Sequence, residues 1–240
     1  MGTQKLEKEL RRLLPEARIF RMDYDTTKEK NIHEKIYDDF KKEKIDILVG
    51  TQMISKGFDF PRVSLVGIVD ADIILHLPDF RATEKTFRMI IQVAGRSGRK
   101  ELAGRVYVQT YFPENYIMQL AVRHDYEHFY NEEIKTRQSF NYPPFSELIN
   151  IVMSGREEQE VSRRIEELAL EAKGFIERNK YNDTIAGPSS AFRPLLRNMY
   201  RYQMLIRTCN DNKLAWSGFF KSVKLKSGLK LSVDVDPQQL

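Results

Sequence analysis

Ile45-Asp46-Ile47-Leu48-Val49-Gly50-Thr51 decides how the first half of the chain is read. A short β-branched run that halts at Gly-Thr is a buried strand ending at a turn. Working outward, residues 17–22 form a shorter strand before it. Residues 64–69 and 104–110 read as two more after it, the former ending at Asp70-Ala71-Asp72. Helices are predicted between them. Residues 3–14 carry Leu6, Leu10, Leu13 and Leu14 on one side and stop at Pro15. Asp25-Thr26-Thr27 offers an N-cap to a charged helix with Ile32, Ile36 and Phe40 at helical spacing, and residues 81–93 form another helix. Strands alternating with helices give a parallel α/β sheet. Ligands of such sheets sit at the carboxyl ends of the strands, which is where Gly50-Thr51 and residues 70–72 should lie.

The pattern changes further on. Residues 114–138 read as one or two charged, aromatic-rich helices, and Tyr142-Pro143-Pro144-Phe145 forces an extended break. Beyond it come a strand at 148–153, a helix at 157–178, a short strand at 184–186 ending at Gly187-Pro188 and a strand at 200–207. A helix at 213–223 and a last strand at 229–235 complete the order. It is β-α-β-β-α-β, that of a ferredoxin-like α+β domain. The expected division is residues 2–139 and 140–240, within a chain of 240 residues that suits two ordinary domains.

Composition removes several function classes. Cys209 is the single cysteine, so there is no internal disulfide and no multi-cysteine zinc site. His124 and His128 are four apart, but the glutamate of a His-Glu-x-x-His site is missing, so no metal site is expected. No apolar run approaches a membrane span and no signal peptide opens the chain, which suggests a reduced, cytoplasmic protein. Net charge is +5, but it is unevenly placed. Between Arg193 and Lys230 nine Lys/Arg face one acid, Asp211, a balance of +8 that leaves −3 for the rest. Local basicity of that kind points to a binding face. Arg193, Arg197, Tyr200, Arg201 and Tyr202 interleave charge with aromatics, as single-strand binders do; a solvated face with its tyrosines in the core is the alternative.

Two further stretches carry chemistry. In Ile91-Gln92-Val93-Ala94-Gly95-Arg96-Ser97-Gly98-Arg99, a helical path would put Gln92, Arg96 and Arg99 on one face. Gly95 and Gly98 would keep that surface low, and two guanidiniums aimed at one spot suit a phosphate chain. A basic helix end with a glycine stop is the plainer reading. After Gly50 runs Thr51-Gln52-Met53-Ile54-Ser55-Lys56-Gly57-Phe58-Asp59. Its amides and the Thr51 hydroxyl could hold a phosphate and Asp59 could accept from a ribose hydroxyl; a long surface turn bent at Gly57 would look the same.

Together, Gly-Thr-Gln-x4-Gly-x-Asp and Gln-Val-Ala-Gly-Arg-Ser-Gly-Arg resemble motifs V and VI of superfamily 2 helicases. The sequence is more closely similar to the PriA family (primosomal protein N′), the bacterial replication-restart helicases. Asp70-Ala71-Asp72, Asp79-Phe80-Arg81, Tyr142-Pro143-Pro144-Phe145 and Val233-Asp234-Val235-Asp236-Pro237 follow in that family's order. The resemblance extends from Gly2 across essentially the whole chain.

The resemblance implies a second RecA-like helicase lobe followed by the family's C-terminal domain, itself similar to a small-ribosomal-subunit protein and implicated in DNA binding. It would place Thr51 and Gln52 near the nucleic-acid backbone, and Gly57 and Asp59 at the nucleotide edge. Gln92, Arg96 and Arg99 would lie across a cleft from ATP, where an arginine stabilises charge on the transferring phosphoryl group. The family uses ATP with Mg, and also zinc, for which this chain offers no cysteine ligands. Its partners are forked or single-stranded DNA, single-stranded DNA-binding protein and primosome proteins; a nucleoid-associated monomer is expected. No Gly-x4-Gly-Lys-Ser/Thr and no Asp-Glu-x-His occurs here. The expectation is therefore a C-terminal fragment of an ATP-dependent 3′-to-5′ helicase that does not hydrolyse ATP alone. A non-catalytic nucleic-acid-binding module on a RecA-like scaffold is the alternative, and a RecG-type translocase is disfavoured by the Tyr-Pro-Pro-Phe and Asp-Val-Asp-Pro stretches.

Overall fold

The structure is a computed structural model, and it describes residues 2–23, 32–51, 60, 62–96, 104–209 and 212–238, the side chain of His33 excepted. The chain separates into two compact units, Met1–Leu77 with Arg81–Phe129, and Pro78–Phe80 with Tyr130–Leu240.

In the first unit, α1 (Thr3–Leu13) lies against β1 (Ile19–Met22) and β2 (Ile47–Gly50). α1 is held there by Thr3 Oγ1 donating to Asp23 and by Arg11 donating to the Ile19 carbonyl. β1 and β2 run parallel, Ile19 opposite Ile47 through Met22 opposite Gly50, with α2 (Ile32–Lys41) between them in sequence. Their register begins at an ion pair: Arg18 grips Asp46 through Nε and Nη2, at 2.8 and 2.6 Å, while its backbone amide donates to the same carboxylate. That grip holds the Asp46 carboxyl down at about 2.

β3 (Leu65–Ile68) and β4 (Arg105–Val108) form a second parallel pair. The sequence suggests one parallel sheet; among the described residues the strands hydrogen-bond as two parallel pairs, and no ladder joins β2 to β3. After β3 the chain turns through Asp70, whose φ of +59° aspartate tolerates better than bulkier residues. It then enters a short helix absent from the sequence reading, α3 (Asp72–Leu75). Buried Asp72 accepts from Thr110 Oγ1 at 2.6 Å and from the Tyr111 amide at 2.8 Å, tying the end of β3 to the end of β4. α4 (Ala82–Ala94) buries Ala82, Thr86, Phe87 and Ile90. Its Phe87 ring stacks on Phe129 of α6 (Tyr126–Ser139), centroids 4.2 Å apart, beside α5 (Tyr116–Val122).

The second unit contains β5 (Glu147–Gly155), α7 (Glu158–Asn179), β6 (Thr184–Leu196), β7 (Met199–Thr208), α8 (Lys213–Ser222) and β8 (Lys230–Val235). The sheet is antiparallel throughout, in the order β6-β7-β5-β8. Ile149, Ile151, Met153, Met204 and Ile206 meet Val161, Ile165, Leu168 and Ala172 of α7 and Trp216 of α8 on one face. Packing there is close enough that a Cβ on Gly155 would come within 2.8 Å of Val161 and 2.9 Å of Leu229. Pro78–Phe80 joins this unit because the Phe80 ring stacks on Tyr142, centroids 4.9 Å apart.

β6 is the main departure from the sequence reading, which ends a strand at Ala186. Gly187-Pro188 cannot sustain a regular ladder, since proline has no amide to donate. The structure absorbs it as a register shift, and pairing resumes at Ser189 opposite Gln203. Gly187 is needed there: its φ is +93°, and a Cβ would lie 3.1 Å from the Gln203 carbonyl. A second shift spans Ser190 to Leu195, and Arg197-Asn198, both at positive φ, close a two-residue hairpin into β7.

Asp183, ahead of β6, accepts from Thr208 Oγ1 (2.8 Å), Asn212 Nδ2 (3.0 Å) and the fully buried Trp216 indole (2.6 Å). Asp183→Ala strands those donors, so it should cost roughly 3 kcal/mol, read as a lower denaturant midpoint followed by Trp216 emission; an unchanged midpoint would remove the network from the fold's support. At the other end of the chain, Arg18→Ala should return Asp46 to an ordinary carboxylate pKa near 3.9 in an NMR pH titration. The stability this pair lends is fully present above that ordinary value and is lost as pH falls through about 2.

Candidate nucleotide and nucleic-acid surfaces

Two surfaces carry the residues singled out by sequence, one in each unit. In the first unit Thr51 follows β2 directly, exposed at the carboxyl end of that strand. Gln52, Gly57, Asp59 and Arg99 lie outside the described residues. Gln92 sits in the last turn of α4, half-buried, and the helix stops at Ala94. Past it the Gly95 amide still reaches the Ile91 carbonyl, but the Arg96 amide turns to Val93, three residues back. Glycine is a poor helix former, and the path tightens there. Gln92 is thus helical, and half-buried Arg96 sits in the closing turn that follows.

Gly95 has φ −64°, which any residue adopts, and an added Cβ would meet only the Ile91 and Gln92 carbonyls at ordinary distances of 3.5 and 3.7 Å. Among the described residues, neither the backbone nor the packing requires a glycine there.

In the second unit the basic residues sort by partner. Arg207 lies over the Tyr142 ring, 4.8 Å from its centroid, and donates to the Tyr142 hydroxyl. Lys213 spans Asp236 and Glu147, each at 2.9 Å, and the hydrogen bond to Asp236, followed by that to Glu147, raises its pKa. Arg193, Arg197 and Arg201 make no ion pair among the described residues. Arg197 occupies the hairpin turn, and Arg193 lies within the second register shift.

Arg201 and Lys230 both pair with Ser154 on the central strand. They flank it on the face away from α7 and α8, their backbones roughly 10 Å apart. Tyr202 belongs to the opposite face, because successive strand residues alternate. It packs against the helix-side core and its hydroxyl donates to Glu158 at 3.1 Å. The charge–aromatic interleaving read from sequence is therefore split between two faces of the sheet, with Tyr202 half-buried on the helix side. The shallow hollow beside it contains Glu158 and Glu166, which would repel phosphate.

Sequence reasoning missed Phe192, Leu195 and Leu196, all exposed on the hairpin arm. The signal was present: two apolar runs flanking Arg197-Asn198, with asparagine suited to positive φ. Among the described residues there is no cluster of His, Cys, Asp or Glu able to hold a metal ion, and no helix long and apolar enough to cross a membrane.

Comparison with known proteins matches both halves. The family profile "Helicase conserved C-terminal domain" covers residues 2–101, and "Primosomal protein N C-terminal domain" covers residues 138–238. The chain is 45% identical over 215 residues to the replication restart protein PriA of Bacillus subtilis, spanning 89% of this chain and 26% of that protein. It is 38% identical to the PriA of Chlamydia trachomatis (98% of this chain, 31% of that one). It is 37% identical to that of Borreliella burgdorferi (100% and 36%). The chain thus spans about a third or less of the length of these relatives. Carrying both domains in their order, it belongs to the PriA family of helicases.

Proposed function

We propose that this chain serves an ATP-dependent 3′-to-5′ DNA helicase of replication restart, supplying one wall of the ATP site and a DNA-binding domain. Residues 2–139 act as the second RecA-like lobe and residues 140–240 as a ferredoxin-like domain; the β5-α7-β6-β7-α8-β8 order with strand order β6-β7-β5-β8 supports the latter. In the first lobe Arg96 and Arg99 stabilise charge on the transferring phosphoryl group, Gln92 orients at the same wall, and Gly57 and Asp59 meet the nucleotide. In the full-length protein ATP would supply the reacting phosphoryl group and Mg would offset its charge. The absence of a side chain at exposed Gly95, next to Arg96, suits the close approach of a phosphate. The lysine loop that would cradle that phosphate chain, and the acids that would bind Mg, have no counterpart in this sequence, so the chain alone does not turn over ATP. Thr51 and Gln52 follow the nucleic-acid backbone.

One observation carries the reading: Arg193, Arg197 and Arg201 lack ion pairs among the described residues, on a segment, residues 184–208, that contains no acid. Cations left uncompensated at a surface attract a polyanion. Forked or single-stranded DNA is the partner this favours, with single-stranded DNA-binding protein and other primosome members beside it, in the bacterial cytoplasm. The chain acts as a monomer. The runner-up, a non-catalytic binding module, shares this surface and differs at Arg99.

Binding to an oligonucleotide should weaken steeply with salt. Arg197→Ala with Arg201→Ala should lower the log–log salt slope by roughly 1.5, two phosphate contacts' worth; an unchanged slope would remove both from the interface. In a longer protein that includes the phosphate-cradling lobe, Arg99→Ala should cut ATP turnover about a thousandfold. Turnover equal to the parent would favour the non-catalytic module.

A further inference from the structure

The hairpin joining β6 to β7 presents apolar side chains that no part of its fold uses. Phe192 is 56% exposed, Leu195 54% and Leu196 41%, whereas neighbouring Ala191 is buried. The second register shift, between Ser190 and Leu195, releases Phe192: residues 191–194 lie between paired positions that bracket only one residue of β7, while Leu195 and Leu196 pair with Tyr200 and Met199 next to the turn. Arg193 directly follows Phe192, Arg193 and Arg197 bracket Leu195 and Leu196 in sequence, and Arg201 follows on β7. Large apolar groups on a surface, set among cations, mark a contact.

Charge and backbone select among occupants. Pairing of a foreign strand along β6 is hindered by Pro188, by Pro194 and by both register shifts, which remove a continuous row of donors. A second copy of this chain meeting tip to tip would gather Arg193 and Arg197 of both copies at one contact, a concentration of like charge with no acid on residues 184–208 to offset it. A polyanion that also offers flat apolar faces answers both features. Unpaired nucleobases on a phosphate backbone have that chemistry: the faces stack on an aromatic ring while the phosphates meet guanidiniums.

We propose that the β6–β7 hairpin arm takes unpaired bases of a single-stranded nucleic acid, with Phe192 as stacking surface, Leu195 as its apolar neighbour, and Arg193 and Arg197 on the adjoining phosphates. This rests on the nucleic-acid reading above and adds to it. The arm separates strand from duplex, because bases locked inside a duplex present no free face to Phe192.

Phe192→Trp provides the probe. Trp216 is fully buried, so a change in emission reports position 192. Titration with single-stranded oligothymidylate should quench that emission to saturation, and a blunt duplex at equal phosphate should leave it unchanged. Phe192→Ser with Leu195→Ser should lower single-strand affinity roughly tenfold without altering the salt slope, since stacking releases no counterions. Equal affinity of the serine variant, equal quenching by blunt duplex, or quenching by anionic vesicles in place of oligonucleotide would each overturn the assignment. Should the serine variant bind like the parent while the salt slope stays steep, the tip assignment fails and the basic-face reading stands. A flat salt response from the parent chain would instead bring down both.

Discussion

The C-terminal unit depends on one buried carboxyl. Asp183 sits at the junction of α7 and β6, and its two oxygens collect the Thr208 hydroxyl at the end of β7, the Asn212 amide before α8 and the indole of Trp216 within α8. Three segments that the chain visits at different times are thereby fixed to a single point. Polar groups at such depth are stable only when paired, so the arrangement excludes alternatives in which α8 slides along the sheet. With Trp216 seated, Phe175, Phe219 and Phe220 close around it, and the helix-side core is complete.

Fixing both helices to one face leaves the other face to polar chemistry. Arg201 and Lys230 line up across Ser154 there because antiparallel pairing sets them in one row. The same alternation puts Tyr202 into the core beside its neighbour Arg201. The cationic surface is thus a consequence of strand register. The hairpin arm adds what the flat face lacks: exposed apolar groups, Phe192 within a four-residue irregularity of the ladder and Leu195 and Leu196 beside the turn.

The N-terminal unit follows a different logic. Its strands are short, and polar contacts just outside the ladders hold the two parallel pairs: Arg18 with Asp46 at the entry of β1 and β2, Asp72 with Thr110 and Tyr111 at the exit of β3 and β4. The glycine at position 95 stands apart from this, since nothing in its own fold calls for it.

Much of this was legible from local chemistry. The β-branched run ending at Gly50-Thr51, the leucine stripe of α1 and the apolar stripe of α7 each express a preference of the chain within a few residues, and all of these elements form near their expected places. The family was legible too, because motif order is a property of sequence alone. What sequence could not supply depends on partners distant along the chain. Gly187-Pro188 ends a strand locally, yet β7 carries β6 past it, since the tertiary ladder tolerates a shift that local propensity forbids. Arg201 and Tyr202 look alike as interleaved binding residues until pairing with β5 assigns them opposite faces. Arg207 reads as one more surface cation until Tyr142 lies beneath it. Local sequence determined which elements form and which chemistry they carry; only the tertiary structure decided which side chains face outward, because facing is set by register, and register by contacts between residues far apart in the chain.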